Sequence, residues 1–90
     1  MKFFAVLLPM RDEEKSVRFR PEHLAFLEQM RNAGHIYANG KFTDGSGGLV
    51  IYQTDSFEQC EAFVHQDPYV ENGARTYEIH EWEAVWANPN

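Results

Sequence analysis

The sequence has little of what several protein classes need. It contains one cysteine, Cys60, which excludes an internal disulfide and fits a reducing, cytoplasmic setting. Lysine and arginine number 8 against 14 acidic residues, for a net charge of −6, and no three basic residues cluster. Nucleic-acid phosphates and anionic membrane surfaces are recognised by grouped cations, so neither is expected as a partner. No apolar run approaches the roughly 20 residues of a membrane span. The short apolar run after Met1-Lys2 soon meets Arg11-Asp12-Glu13-Glu14, which is not the pattern of a signal peptide. His35, His65 and His80 have no metal-ligand spacing, and nothing supplies the four ligands, or three plus water, that zinc requires. The Gly45-Ser46-Gly47-Gly48 turn lacks the Gly-Lys-Ser/Thr ending of a phosphate-binding loop, and a strand rather than a helix follows it. No metal and no cofactor are therefore expected.

What is present is enough for a small core. Apolar residues make up 43% of the 90 positions and aromatics 14%. A chain of this length makes one domain and buries roughly 60–65% of the surface its unfolded form exposes.

Phe3-Phe4-Ala5-Val6-Leu7-Leu8 is a continuous apolar run closed by Pro9. Its length and aromatic content predict a strand, and two apolar faces predict one covered on both sides. Residues 10–19 read as a charged loop. Pro21, with its fixed φ, opens a helix, and Glu22 suits the positive end. Leu24, Leu27, Met30 and Ala33 set an apolar stripe with Phe26 beside it, and Gly34 is the expected C′ residue. Residues 35–42 form a short strand in which Gly40 marks either a β-bulge or a close approach to the backbone. Residues 43–48 are a turn, and Leu49-Val50-Ile51-Tyr52 completes a hairpin. Asp55 or Ser56 caps the second helix, with Glu58 placed as in a capping box. Phe57, Cys60, Phe63 and Val64 form its buried stripe. Asp67-Pro68 stops that helix and can begin one further turn, with Gly73 as the exit. Residues 76–86 read as a long last strand with a bulge, and residues 87–90 as a frayed tail.

The order βαββαβ specifies an α+β, ferredoxin-like fold: a four-stranded antiparallel sheet with two helices on one face. The uncovered face would leave an apolar surface, because the first strand is apolar on both sides. A second copy packed sheet to sheet through a two-fold axis is the simplest cover, so the expected partner is the protein itself, as a homodimer with a barrel-like core.

Arg20-Pro21-x-His23-Leu24, Gly34 before a strand that reaches Gly40, the 45–48 turn and Asp67-Pro68-Tyr69 together resemble the YCII-related (YciI-like) family over nearly the whole chain. The resemblance implies a dimeric α+β barrel with a His–Asp pair in a pocket, roles that fall on His23 and Asp67. Most members of that family have no assigned reaction; one branch is dehydrochlorinase-like. The 45–48 turn is shorter than in commoner members, and it shapes the rim of the pocket.

Each candidate residue also has a plainer reading. His23, in the first turn of its helix, is either a proton carrier or a surface or capping histidine. Asp67 is either its orienting carboxylate or an ordinary N-cap before proline, and one oxygen for each task allows both. His65, two residues before Asp67, is a rival partner for it. Arg20 is either an anion binder at the pocket mouth or a solvated flank. Tyr69 lines the pocket or packs under the turn. Cys60 falls on the buried stripe and reads as a small core residue. Trp82 and Trp86 read as dimer or core packing. The resulting expectation is a cofactor-independent enzyme, lyase- or isomerase-like, that moves a proton on a small cyclic or phenolic molecule with His23 and Asp67. The alternative is a non-catalytic binding module of the same fold.

Overall fold

A computed structural model describes residues 1–87. The expected fraying of the tail at residues 88–90 lies outside the described residues. The order of elements is β1 (Lys2–Pro9), α1 (Glu13–Arg18), α2 (Arg20–Asn32), β2 (Ile36–Lys41), β3 (Gly47–Thr54), α3 (Phe57–Gln66), α4 (Pro68–Glu71) and β4 (Glu78–Glu81). The sheet order is β2-β3-β1-β4, and every neighbouring pair is antiparallel. This is the α+β, ferredoxin-like architecture that the element order specifies.

Alternation along β1 divides its side chains between two faces. Phe4, Val6 and Leu8 are buried and pack with Val50 and Tyr52 of β3, Leu27 and Met30 of α2, and Cys60 and Val64 of α3. Phe3, Ala5 and Leu7, on the opposite face, are only half-buried. Both long helices therefore cover one face. Among the described residues, no helix is long and apolar enough to cross a membrane.

Several local expectations change. Residues 10–19 are not all loop: Asp12 accepts a hydrogen bond from the Lys15 amide at 3.0 Å and caps α1. Glu13 and Glu14 sit at the positive end of α1 and Arg18 at its other end, so the start and stop signals were in the sequence. No apolar stripe accompanied them, because Ser16 is the one buried residue of α1 and Val17 points outward. On α2 the buried positions are His23, Leu27 and Met30. Leu24 and Ala33 are exposed, so the inward stripe starts at His23 and not at Leu24. Gly34 has φ of 83° and closes the helix as expected. Ser56 caps α3, accepting from the Gln59 amide at 3.1 Å, while Gln59 rather than Glu58 reaches back to the Asp55 amide. On α3, Phe57 is exposed and Phe63 half-buried, which leaves Cys60 and Val64 as the buried stripe.

The last strand is shorter than its alternation predicts. Glu78–Glu81 pairs with β1, and the Trp82 amide makes a further bond to the Phe3 carbonyl at 2.8 Å. Beyond it the chain leaves the sheet edge and brings Trp86 against Phe3 and Tyr37, each with ring centroids at 5.2–5.6 Å. With Glu81 opposite Phe4 and β1 beginning at Lys2, little partner strand remains for residues beyond Trp82 to pair with. The β-bulge falls at the Ile36/Ala38 register shift and not at Gly40.

Candidate functional site

The site is built where the start of α2, the α3–α4 junction and the far end of the β2–β3 hairpin meet. His23 is the fourth residue of α2, and its amide makes the first helical bond, to the Phe19 carbonyl at 3.0 Å. Pro21 fixes the backbone two residues earlier. Helical periodicity then carries His23 inward with Leu27 and Met30 and leaves its residue 8% exposed.

Asp67 is reached from the other side. Pro68 disfavours a helical Asp67, which takes φ of −64° and ψ of 123° and caps α4. Its Oδ1 accepts from the Tyr69 amide at 2.9 Å and lies 2.7 Å from His23 Nδ1. One oxygen thus serves both the cap and the imidazole, where the sequence suggested a division between two oxygens. Oδ2 is buried with no hydrogen-bond partner among the described residues. With Nδ1 donating to the carboxylate, the neutral ring carries its lone pair on Nε2. The Tyr69 ring stacks on the imidazole, centroids 3.8 Å apart and 11° from parallel.

His23 forms part of the wall of a cleft of about 170 Å³. Leu8, Leu27 and Val50 supply apolar wall, and Tyr69 contributes to it beside His23. Arg20 lies in its wall and is exposed. Gly40 also lines it, and a Cβ added there would meet nothing within 4 Å, so a side chain would project into open space. Of the residues singled out from the sequence, His23, Arg20, Gly40 and Tyr69 share this cleft, and Asp67 stands directly behind His23. His65 does not compete for Asp67: its Nε2 lies 2.7 Å from the Tyr77 hydroxyl instead.

Two further cleft residues escaped sequence reasoning. Lys41 ends β2, and Arg75 follows α4. Arg75 donates through Nε to Ser16 Oγ at 3.0 Å and through Nη1 to the Leu8 carbonyl at 3.4 Å. Its guanidinium carbon lies 4.5 Å from the centre of the Tyr69 ring. Those partners are 59 and 67 residues away along the chain, so no local motif announces them.

Burial raises the Tyr69 hydroxyl above the ordinary tyrosine range, against the pull of Arg75 and Arg20. The phenol is therefore neutral at physiological pH and able to donate a hydrogen bond. Cys60 is buried in the core away from the cleft, and desolvation pushes its thiol up to about 12. That leaves no thiolate for nucleophilic work. Among the described residues, no group of three or more His, Cys, Asp or Glu side chains is placed to hold a metal ion.

Comparison with known proteins fits this architecture. The structure superposes on 5-chloro-2-hydroxyhydroquinone dehydrochlorinase (TftG) from Burkholderia phenoliruptrix, solved in complex with 2,5-dihydroxybenzoquinone, with a TM-score of 0.79. The match covers 92% of this chain and 95% of that one at 20% sequence identity, a level that speaks for a shared fold alone. The uncharacterized protein YjpA of Bacillus subtilis is 30% identical over 78 residues, 87% of this chain and 92% of that protein. The model of the YCII-related domain matches residues 1–83, and the chain belongs to the YCII-related family.

Proposed function

We propose that the protein is an enzyme that transfers a proton on a small cyclic or phenolic molecule, in a lyase- or isomerase-like reaction that needs no cofactor. The observation that carries this reading is the 2.7 Å contact between His23 Nδ1 and Asp67 Oδ1, made by a histidine that also lines a cleft. Asp67 holds the imidazole in the tautomer that leaves Nε2 as a base, and its charge stabilises the imidazolium that forms. Nε2 takes a proton from a carbon or hydroxyl of the substrate. The electron pair left behind either expels a leaving group or moves through the ring, so that the proton returns at another atom. The shared fold with a dehydrochlorinase is consistent with this reaction class.

A second copy would cover the half-buried row Phe3, Ala5 and Leu7, giving the homodimer expected from the sequence. Sedimentation at micromolar concentration tests this: a dimer that Leu7→Glu dissociates without unfolding the protomer is expected, and a wild-type monomer would end the idea.

The catalytic reading is tested by following the His23 ring signals by NMR across pH in the wild type and in Asp67→Asn, alongside turnover of chlorinated and unchlorinated hydroxyquinols. Coupled titration lost in Asp67→Asn, together with lost turnover, is expected. A His23 whose titration ignores Asp67 would leave the carboxylate with its capping role alone and favour a binding module.

A further inference from the structure

The charge of the cleft is opposite to that of the molecule. The chain has 14 acidic residues and 8 basic ones. Yet the cleft wall includes Arg20, Lys41 and Arg75 and no aspartate or glutamate. None of the three pairs with a carboxylate within 4.0 Å among the described residues, where the one lysine or arginine ion pair is Lys2–Glu81, at 3.7 Å. Three unneutralised cations around one small cavity repel each other, and an acidic protein has carboxylates to spare for quenching them. Leaving them free makes the cavity an attractive site for an anion.

Arg75 is the one of the three that is held in place. Its Nε and one Nη1 hydrogen are committed to Ser16 Oγ and the Leu8 carbonyl, and its guanidinium carbon lies over the Tyr69 ring. Five N–H donors less two leave three, on a guanidinium whose orientation is already set. The supports are themselves fixed: Ser16 is buried on α1 and has its hydroxyl 3.3 Å from the Ala74 carbonyl. The short helix α1 thereby fastens Arg75 beside the ring that also carries His23. Lys41 and Arg20 are exposed and add charge with less geometric constraint.

We propose that the ligand of this cleft is a small ring bearing an anionic oxygen group, a carboxylate or an ionised hydroxyl, and that Arg75 binds that group while His23 faces the rest of the ring. The assignment deepens the proton-transfer reading by naming its substrate class, but anion binding by Arg75 does not require that His23 be catalytic.

The test compares probes of one shape and different charge. Benzoate and 4-nitrophenolate represent the two anionic groups, and benzamide is the neutral match for benzoate. Chemical shifts of the His23 ring and the Arg75 Nε–H report binding in the full-length protein. Saturable shifts with either anion, at least tenfold tighter than with benzamide, are expected, and the better of the two anions identifies the group. Arg75→Gln should remove that preference, Arg75→Lys should restore it in part, and Lys41→Gln should weaken it less than Arg75→Gln. A purely structural arginine would change thermal stability in Arg75→Gln and leave the ratio of anion to amide binding unmoved, which would overturn the proposal. Equal binding of benzoate and benzamide to the wild type, or no binding of either anion, would also overturn it. If the wild type turns over none of the hydroxyquinols while the anion preference holds both in it and in His23→Gln, the catalytic reading fails while this one stands.

Discussion

His23 and Arg75 both lie against Tyr69, yet they are held in opposite ways. His23 is buried, is paired with a buried carboxylate 2.7 Å away, and stacks in parallel on the ring. Arg75 is half-buried, is anchored by a serine and a carbonyl, and has no carboxylate partner among the described residues. One wall of the cleft thus carries its own counter-charge for a protonated imidazole, and the other holds a cation with no carboxylate partner among the described residues. The difference matches the two tasks proposed for these residues. A group that gains and loses a proton benefits from a fixed counter-charge, whereas a group that recognises an anion is weakened by one.

The largest expected effect is on the paired wall. His23→Gln should lower kcat by about 10²–10⁴-fold for any substrate the wild type turns over, the usual contribution of a positioned acid or base. A rise in KM with kcat unchanged would place His23 with Arg75 as a binding group and dissolve the contrast.

Asp67 comes next, because it belongs to the fold as well. Asp67→Ala removes the α4 cap and leaves the Tyr69 amide and His23 Nδ1 without their acceptor. Chemical denaturation should show a loss of about 1–3 kcal/mol, with the relief of a buried charge offsetting part of the gross cost. Asp67→Asn keeps an acceptor oxygen and should lose less stability while still losing turnover. Equal losses of both in the two variants would mean that the carboxylate acts only through folding.

Tyr69 connects the walls. Tyr69→Leu keeps apolar volume but removes the imidazole stack and the guanidinium contact, for an expected cost of about 1–2 kcal/mol. It should disturb proton transfer and anion preference together, and a variant that disturbs one alone would show the walls to be independent.

The smallest effect concerns pH. Tyr52 and Tyr69 both sit above the ordinary tyrosine value of 10.0, in each case mainly through burial, with the Asp67 charge adding to both. The folded state therefore keeps phenolic protons that the unfolded state releases. That stabilisation is complete below pH 10 and is lost as pH rises beyond it. Thermal melts above pH 10 should decline in the wild type, and less steeply in Tyr69→Phe.

Much of this molecule is legible from local pattern. Gly34 ends α2 because its conformation has φ of 83°, and Asp67-Pro68 ends one helix and opens another because proline restricts its predecessor. The apolar runs give β1 and β3, and the order of elements leaves few ways to pair them. What was harder to read involved competition. The α1 segment has caps and end charges without an apolar stripe. The last strand stops at Glu81, whose partner Phe4 leaves only residues 1–3 of the antiparallel first strand to pair beyond it. The cap and the partner of His23 turn out to share one carboxylate oxygen.

By itself, the sequence determined the first three strands, the two long helices and hence the fold class, because backbone restriction and periodicity act over a few positions, and its family resemblance marked His23 and Asp67 as the candidate pair. Only the tertiary structure decided that His23, rather than His65, stands against Asp67, across 44 residues of chain. It alone brought Arg75 from beyond α4 to the cleft, held by Ser16 and Leu8 near the other end of the chain. Charge in a cleft depends on which distant side chains converge there, and a net charge of −6 read from composition concealed a cavity lined by cations.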